Sequence, residues 1–259
     1  AWGCGGGLIA GNMAEVDIDK RFQQGAFDVI VHLASITDTT EQNQYRQVHD
    51  NVEGFRKLLQ WAKSDQTPLV YASSAAVYGK TETVMGERCK PSPQNAYAFS
   101  KIQLDHLAGY YRKQYPAWKL VGLRYFNVYG PREAHKRHMA SMVYQLYLQM
   151  KAGKKPRIFK DGEQKRDFVY VKDVVEATLA ASVASVPGVY NVGSGVSSSF
   201  NDVISRLNKA LGLALDTEYF ENPYSFYQNV TQADISKSRE KLCYEPVSYT
   251  HLTLPTTPY

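Results

Sequence analysis

Val29-Ile30-Val31 and Pro68-Leu69-Val70-Tyr71 are apolar at every position rather than at alternate ones. A strand with one wet face alternates, whereas a strand covered on both faces does not, so these two stretches read as central strands of a parallel sheet. Working outward, strand-like runs at 27–33, 69–73 and 120–125 alternate with helix-length amphipathic stretches at 51–63 and 96–114. Strand then helix, repeated, predicts an α/β fold: a doubly wound parallel sheet with helices on both faces. After Pro131 the pattern loosens into a helix over 139–152, strands at 157–159 and 168–171, a helix over 174–184, a strand at 189–192 and a helix over 200–211. That mixture predicts a smaller α+β lobe interleaved with the last strands of the sheet. The stretch 247–259 has neither helical nor strand periodicity and reads as an irregular, artefactual tail.

The 259 residues suffice for one large domain, or a large domain carrying a lobe. With 44% apolar and 21% charged residues the chain is neither disordered nor fibrous. No apolar run approaches the ~18 residues of a membrane-spanning helix. The N-terminus shows no basic-then-apolar leader, so a cytoplasmic protein without membrane contact is expected. Cys4, Cys89 and Cys243 are too far apart for a metal knuckle or a disulfide framework and read as free thiols, with no metal site expected. The 30 basic against 25 acidic residues leave +5, scattered rather than striped, which argues against a nucleic-acid partner. His32 reads as a packed strand residue rather than a catalyst.

The chemistry concentrates in Tyr97-Ala98-Phe99-Ser100-Lys101, preceded by Ser73-Ser74 at the end of a strand. Spacing of four on a helix puts the Tyr97 phenol and the Lys101 ammonium on one face, a turn apart. A phenol with an ordinary pKa near ~10 is a poor base at neutral pH until a nearby cation favours the phenolate, and Lys101 is placed to be that cation. With Ser74 bonded to a substrate hydroxyl, Tyr97 would take its proton while hydride leaves the same carbon for a nicotinamide.

Tyr71-Ala72-Ser73-Ser74-Ala75-Ala76-Val77-Tyr78-Gly79, then Tyr97-x-x-x-Lys101, then Leu123-Arg124-Tyr125-Phe126-Asn127-Val128-Tyr129-Gly130-Pro131-Arg132 stand in that order. Together they resemble the extended short-chain dehydrogenase/reductase family of nucleotide-sugar epimerases and dehydratases. The continuation through Glu133-Ala134-His135-Lys136, Met139-Ala140-Ser141, Lys165-Arg166-Asp167-Phe168-Val169-Tyr170-Val171 and 227–234 is closer still to that family's heptose 6-epimerase branch. The resemblance runs from about Leu8 to Pro246. It implies a Rossmann-like dinucleotide-binding part at 1–130, a substrate lobe at 131–246, a bound NADP (or NAD), ADP-heptose or another nucleotide sugar as substrate in lipopolysaccharide core precursor synthesis, and a homo-oligomer.

By position, the resemblance implies Ser74, Tyr97 and Lys101 as the catalytic trio and Lys136 as a second acid/base. On the cofactor side it implies Asn12, the turn Leu33, Ala34, Ser35, Ile36 and Thr37, Asp50 and Asn51, with Lys101, Val128 and Lys136. Asp50 departs from the asparagine usual there. On the substrate side it implies Ser74, Asn127, His138, Gln145, Arg166 and Tyr227, with Phe159, Lys160, Asp161 and Gly162 around the nucleotide; His138 and Gln145 stand where the heptose enzymes often have other residues. A guanidinium suits the diphosphate because its fork pairs with two oxygens.

The glycines Gly3, Gly5, Gly6 and Gly7 have no preceding strand and no helix opening on them, so they read poorly as a phosphate loop. With Leu8 opening the family's third strand, the Gly-rich fingerprint lies outside the chain, which as given is expected to bind NADP poorly. Two other readings stand beside the heptose epimerase: a UDP-sugar 4-epimerase or related nucleotide-sugar oxidoreductase, and a non-catalytic fragment or binding protein. Dehydratases carry Asp-Glu beside the first serine, where this chain has Ala75 and Ala76.

Overall fold

The computed structural model describes residues 11–39, 41, 43–81, 83–222 and 228–246. Strands β1 (Ile30–His32), β2 (Leu69–Ser74) and β3 (Leu120–Tyr125) are joined by helices α2 (Gln44–Ala62) and α3 (Ala96–Gln114), with a short α1 (Ile18–Arg21) ahead of them. Among the described residues a later strand, β7 (Gly188–Val192), joins them in a four-stranded parallel sheet in the order β1-β2-β3-β7. This is the α/β class the unbroken apolar runs predict.

The two faces explain the run at 68–71, whereas the run at 29–31 departs from the expectation: β1 stands at the end of the described strand order, and Val29 and Val31 are exposed. Leu69, Tyr71 and Leu120 pack with Phe55 and Leu59 of α2 and Leu104 and Ala108 of α3. Their neighbours Val70, Val121 and Leu123 point the other way, into a second core with Tyr190, Val192, Ala177 and Ala181, the last two from helix α5 (Val171–Val183). Gly122 sits under the Tyr71 ring: a Cβ there would stand 2.4 Å from the Tyr71 hydroxyl, so only glycine admits the tyrosine between strand and helix.

Between β3 and β7 the chain builds a second layer. Strands β4 (Asn127–Tyr129), β6 (Lys165–Tyr170) and β8 (Ser197–Ser199) form one sheet, and β5 (Arg157–Phe159) pairs with β9 (Glu218–Phe220) in another. Helices α4 (Met142–Lys151) and α6 (Phe200–Leu211) close over them around Tyr129, Leu146, Ile158, Val203 and Leu207. A last helix, α7 (Ser236–Leu242), packs on β7.

Helices α3 and α6 and strand β3 fall where the periodicity put them. Helix α2 opens seven residues earlier than expected, because the Asn43 side chain accepts from Arg46 N at 2.9 Å and caps a first turn too polar to show an apolar stripe. Strand β1 is three residues long rather than seven, and the helix expected over 139–152 is α4, preceded by tight turns over Ala134–Met139. The expected third strand from Leu8, the glycine cluster, Cys4, Tyr227 and the tail lie outside the described residues, apart from Gly11, Asn12 and Met13.

Candidate active site

A parallel sheet gathers its loops at the carboxyl ends of its strands, and ligands of such sheets bind in the crevice there. Ser74 ends β2, the turn 33–37 follows β1, and Asn127 lies just beyond β3. Helix α3 brings its first turns to the same edge, opened by the Asn95 side chain accepting from Ala98 N at 2.8 Å.

Ser74 is buried, and its hydroxyl accepts from Ala76 N at 3.2 Å. Tyr97 is half-buried. Desolvation pushes its phenol above the ordinary value, and a hydrogen bond with Ser74 pulls it back down. Lys101 is 2% exposed, with Nζ donating to Ala72 O at 2.9 Å and standing 5.8 Å from the centre of the Tyr97 ring. Burial holds its ammonium down to about 8, opposed by the charge of Asp105 one turn further along α3. Serine, tyrosine and lysine are thus brought together as expected. The difference is in the coupling: the phenol's direct partner is Ser74, while the Lys101 ammonium is anchored on the β2 backbone.

Beneath them lies a buried ion pair. Arg124 Nε and Nη2 donate to Asp105 Oδ2 at 3.0 and 2.9 Å, and the Tyr71 hydroxyl donates to Oδ1 at 3.0 Å. Both charges are shielded from water, so the second hydrogen-bonded oxygen matters: it satisfies a carboxylate that would otherwise be costly to bury. His32 is 6% exposed and stacked on Phe55 with ring centres 5.3 Å apart. Burial, reinforced by the nearby Lys101 charge, holds it down to about 4, so it is a neutral packing residue at ordinary pH.

On the proposed cofactor side, Asn51 is buried and holds the turn 33–37 by its backbone. Its Oδ1 accepts from Ile36 N at 2.7 Å, and its Nδ2 donates to Ile36 O at 3.1 Å and to Ser100 Oγ at 2.9 Å. One side chain therefore registers the turn against the helix that carries Tyr97 and Lys101, a supporting role that the sequence reading missed. Leu33, Ala34 and Thr37 are exposed, Ser35 and Ile36 half-buried. Asn12 donates to Asp50 Oδ1 at 3.1 Å, and His49 also lies 3.1 Å from that oxygen. The Asn12 and then the His49 bonds hold the Asp50 carboxyl below its usual range.

On the proposed substrate side, Asn127 is exposed at the crevice and accepts from Thr231 Oγ1 at 3.3 Å, with Val128 half-buried behind it. Arg166 is 8% exposed, and its Nη1 donates to Lys165 O at 2.8 Å. Phe159, Lys160, Asp161 and Gly162 form a turn closed by Gly162 N bonding Phe159 O at 3.2 Å. Gly162 has φ 77°, and a Cβ there would meet Asn201 Oδ1 at 2.2 Å, so the position requires glycine. Lys136 and His138 are exposed on the 134–139 turns, and His138 Nε2 lies 3.8 Å from Asp38 Oδ2, directly after the turn 33–37. Gln145 donates to His138 O at 3.1 Å and Ala140 O at 2.7 Å.

This donor set fits a nicotinamide cofactor: a phenol hydrogen-bonded to a hydroxyl, a desolvated ammonium one turn below it, and an exposed turn fixed from behind. Comparison with known proteins agrees. A model of the NAD dependent epimerase/dehydratase family matches residues 7–193. ADP-L-glycero-D-manno-heptose-6-epimerase of Helicobacter pylori is 42% identical and superposes with a TM-score of 0.79, covering 85% of this chain and 68% of that one. UDP-N-acetylglucosamine 4-epimerase of Methanobrevibacter ruminantium, in complex with UDP-N-acetylmuramic acid, is 27% identical with a TM-score of 0.86, over 92% and 76% of the two chains. UDP-glucuronic acid 4-epimerase of Bacillus cereus, in complex with UDP-glucuronic acid and NAD, is 30% identical with a TM-score of 0.79, over 91% and 75%.

Proposed function

The chain belongs to the NAD dependent epimerase/dehydratase family, and on that premise we propose that it inverts C6 of ADP-glycero-manno-heptose by transient oxidation, with NADP as the resident cofactor. The observation that carries the reaction class is the Ser74, Tyr97 and Lys101 arrangement at the carboxyl edge of the sheet. The sugar assignment is supported by the identity with the heptose enzyme and by the lysine of Gly130-Pro131-Arg132-Glu133-Ala134-His135-Lys136. The resemblance to UDP-sugar 4-epimerases supports a second reading at C4 of a UDP-sugar. Ala75 and Ala76, beside the catalytic serine, lack the carboxyl groups that elimination of water needs.

Asn12, the turn 33–37, Asp50, Lys101 and Val128 would hold the cofactor. When bound, its nicotinamide accepts and returns a hydride. Ser74 orients the sugar hydroxyl and Tyr97 takes its proton, with the Lys101 charge favouring the phenolate as it forms. A planar ketone has no memory of configuration, so hydride returned to its opposite face inverts the carbon. That return requires the carbonyl to turn, and its oxygen then meets a proton donor on the other side, the role we assign to Lys136. Arg166 and the turn 159–162 would hold the nucleotide end while the sugar end turns.

The test is a pair of variants, made in a version of the protein that carries the family's Gly-rich cofactor loop and assayed for epimerisation of ADP-heptose. Tyr97→Phe should lower turnover by about 10²-fold or more, the scale of a lost general acid/base. Lys136→Met should lower it strongly while the cofactor stays bound. Undiminished turnover by Tyr97→Phe overturns the reaction class; undiminished turnover by Lys136→Met returns the 4-epimerase reading to first place.

A further inference from the structure

Lys136 rides on a segment whose backbone is strained. Arg132 has φ 71° and Arg137 φ 51°, and neither is glycine, so each holds a positive φ that an L side chain disfavours. Such a conformation persists only where its surroundings over-determine it. Here the surroundings converge on one carboxylate. Glu133 is 5% exposed; its Oε1 accepts from Gly130 N at 2.9 Å and from Ser141 Oγ at 2.9 Å, and its Oε2 accepts from Ser141 N at 2.6 Å. Its own carbonyl accepts from Lys136 N at 2.9 Å. From the other side, Gln145 takes up the carbonyls of His138 and Ala140.

We infer that Glu133 is the positioning residue of the second acid/base: its buried carboxylate ties both ends of the 130–141 loop together and so fixes where Lys136 is presented. This rests on the reading of Lys136 given above. All three bonds to the carboxylate come from donors, two of them backbone N–H groups that cannot turn to suit a different partner. A carboxamide supplies one acceptor oxygen and one donor nitrogen. In Glu133→Gln the NH2 group therefore faces an N–H wherever it is placed, and the loop loses an anchor at one end while the volume of the side chain is kept.

The experiment compares two reactions of the NADP-loaded protein, prepared in a version that carries the family's Gly-rich cofactor loop. Epimerisation of ADP-heptose needs both acid/base groups. Dismutation of a C6-aldehyde analogue needs one: the hydrate of one aldehyde gives up hydride and a proton to become the carboxylic acid, and a second aldehyde takes them up to become the alcohol. We expect Glu133→Gln to lower kcat for epimerisation about 10- to 100-fold while aldehyde dismutation stays within about 3-fold of the unaltered protein. Loss of both reactions in parallel makes Glu133 a general structural residue and overturns the inference, as does retention of both. Lys136→Met, run alongside, separates the two levels of the argument. If it leaves epimerisation intact, the reading of Lys136 has failed; if it abolishes epimerisation while Glu133→Gln does not, only the inference about Glu133 has. Should Glu133→Gln fail to fold, Ser141→Gly removes one of the three bonds and keeps a tolerated helix cap; it should lower the same ratio in the same direction, and an unchanged ratio overturns the inference.

Discussion

Replacing Lys101 by methionine should change how stability depends on pH, by an amount that follows from its burial. In the folded protein the Lys101 ammonium is held down from 10.5 to about 8, chiefly by desolvation. A fall of that size costs about 3 kcal/mol of folding free energy while the group must be carried as a cation. Between about pH 8 and about pH 10.5 the unfolded chain binds this proton and the folded chain does not, so stability rises with pH through that window. Below it the penalty is present in full. From about pH 7 to about pH 9.5 the lysine should therefore return about 2 kcal/mol. Lys101→Met carries no proton and loses this slope. It also leaves Ala72 O without the donor seen at 2.9 Å, a cost of about 1–3 kcal/mol that does not vary with pH. Urea unfolding of both proteins at the two pH values gives a difference of differences in which the other titrating groups cancel. Parallel pH profiles for the two proteins would refute the argument, because they would mean that Lys101 is hydrated as a lysine on the surface is.

Asn51→Ala removes three hydrogen bonds at once and frees the turn 33–37; stability should fall by about 2–4 kcal/mol, and in a version carrying the Gly-rich cofactor loop titration with NADPH should show weaker binding. A loss under about 0.5 kcal/mol would show that the turn holds itself. His32→Phe keeps the stack on Phe55 but removes a ring that is held down to about 4 in the folded state. The unfolded chain takes up this proton first, so stability falls as pH drops from about 6.5 towards 4, by about 3 kcal/mol in all. The phenylalanine variant should resist acid unfolding over that range, and an unaltered acid limb would contradict it.

The parts of this molecule that could be read from the sequence are those where chemistry and periodicity coincide. Strand β2 is apolar at consecutive positions because it has a helix layer on each face, and Tyr97 and Lys101 declare themselves by their spacing on one helix. Two of the elements that the sequence does not announce have almost no apolar signal: β8 is Ser197-Ser198-Ser199, fixed by pairing with β6, and α7 reads Ser-Lys-Ser-Arg-Glu-Lys-Leu. Among the residues around the site, Asn51 has a supporting role beyond the cofactor side on which the resemblance places it. Its partners, Ile36 and Ser100, are 15 and 49 residues away, and nothing local in a sequence announces a bond of that span. Glu133 was passed over for a related reason: its burial is set by a backbone path through Arg132 and Arg137 that no residue pattern at those positions requires. The coupling of Tyr97 to Ser74, with Lys101 drawn to Ala72 O, likewise depends on where the end of β2 meets the first turns of α3.

In the proposed reaction a hydride leaves C6 of the sugar and returns to the same carbon from the other side. The decisive experiment gives the NADP-loaded protein, in a version carrying the Gly-rich cofactor loop, ADP-heptose of one C6 configuration with deuterium at C6 and follows the product by NMR. The product should be inverted at C6 with the deuterium kept on that carbon and none exchanged with water. Failure to invert this sugar, accompanied by inversion at C4 of a UDP-sugar, would contradict it.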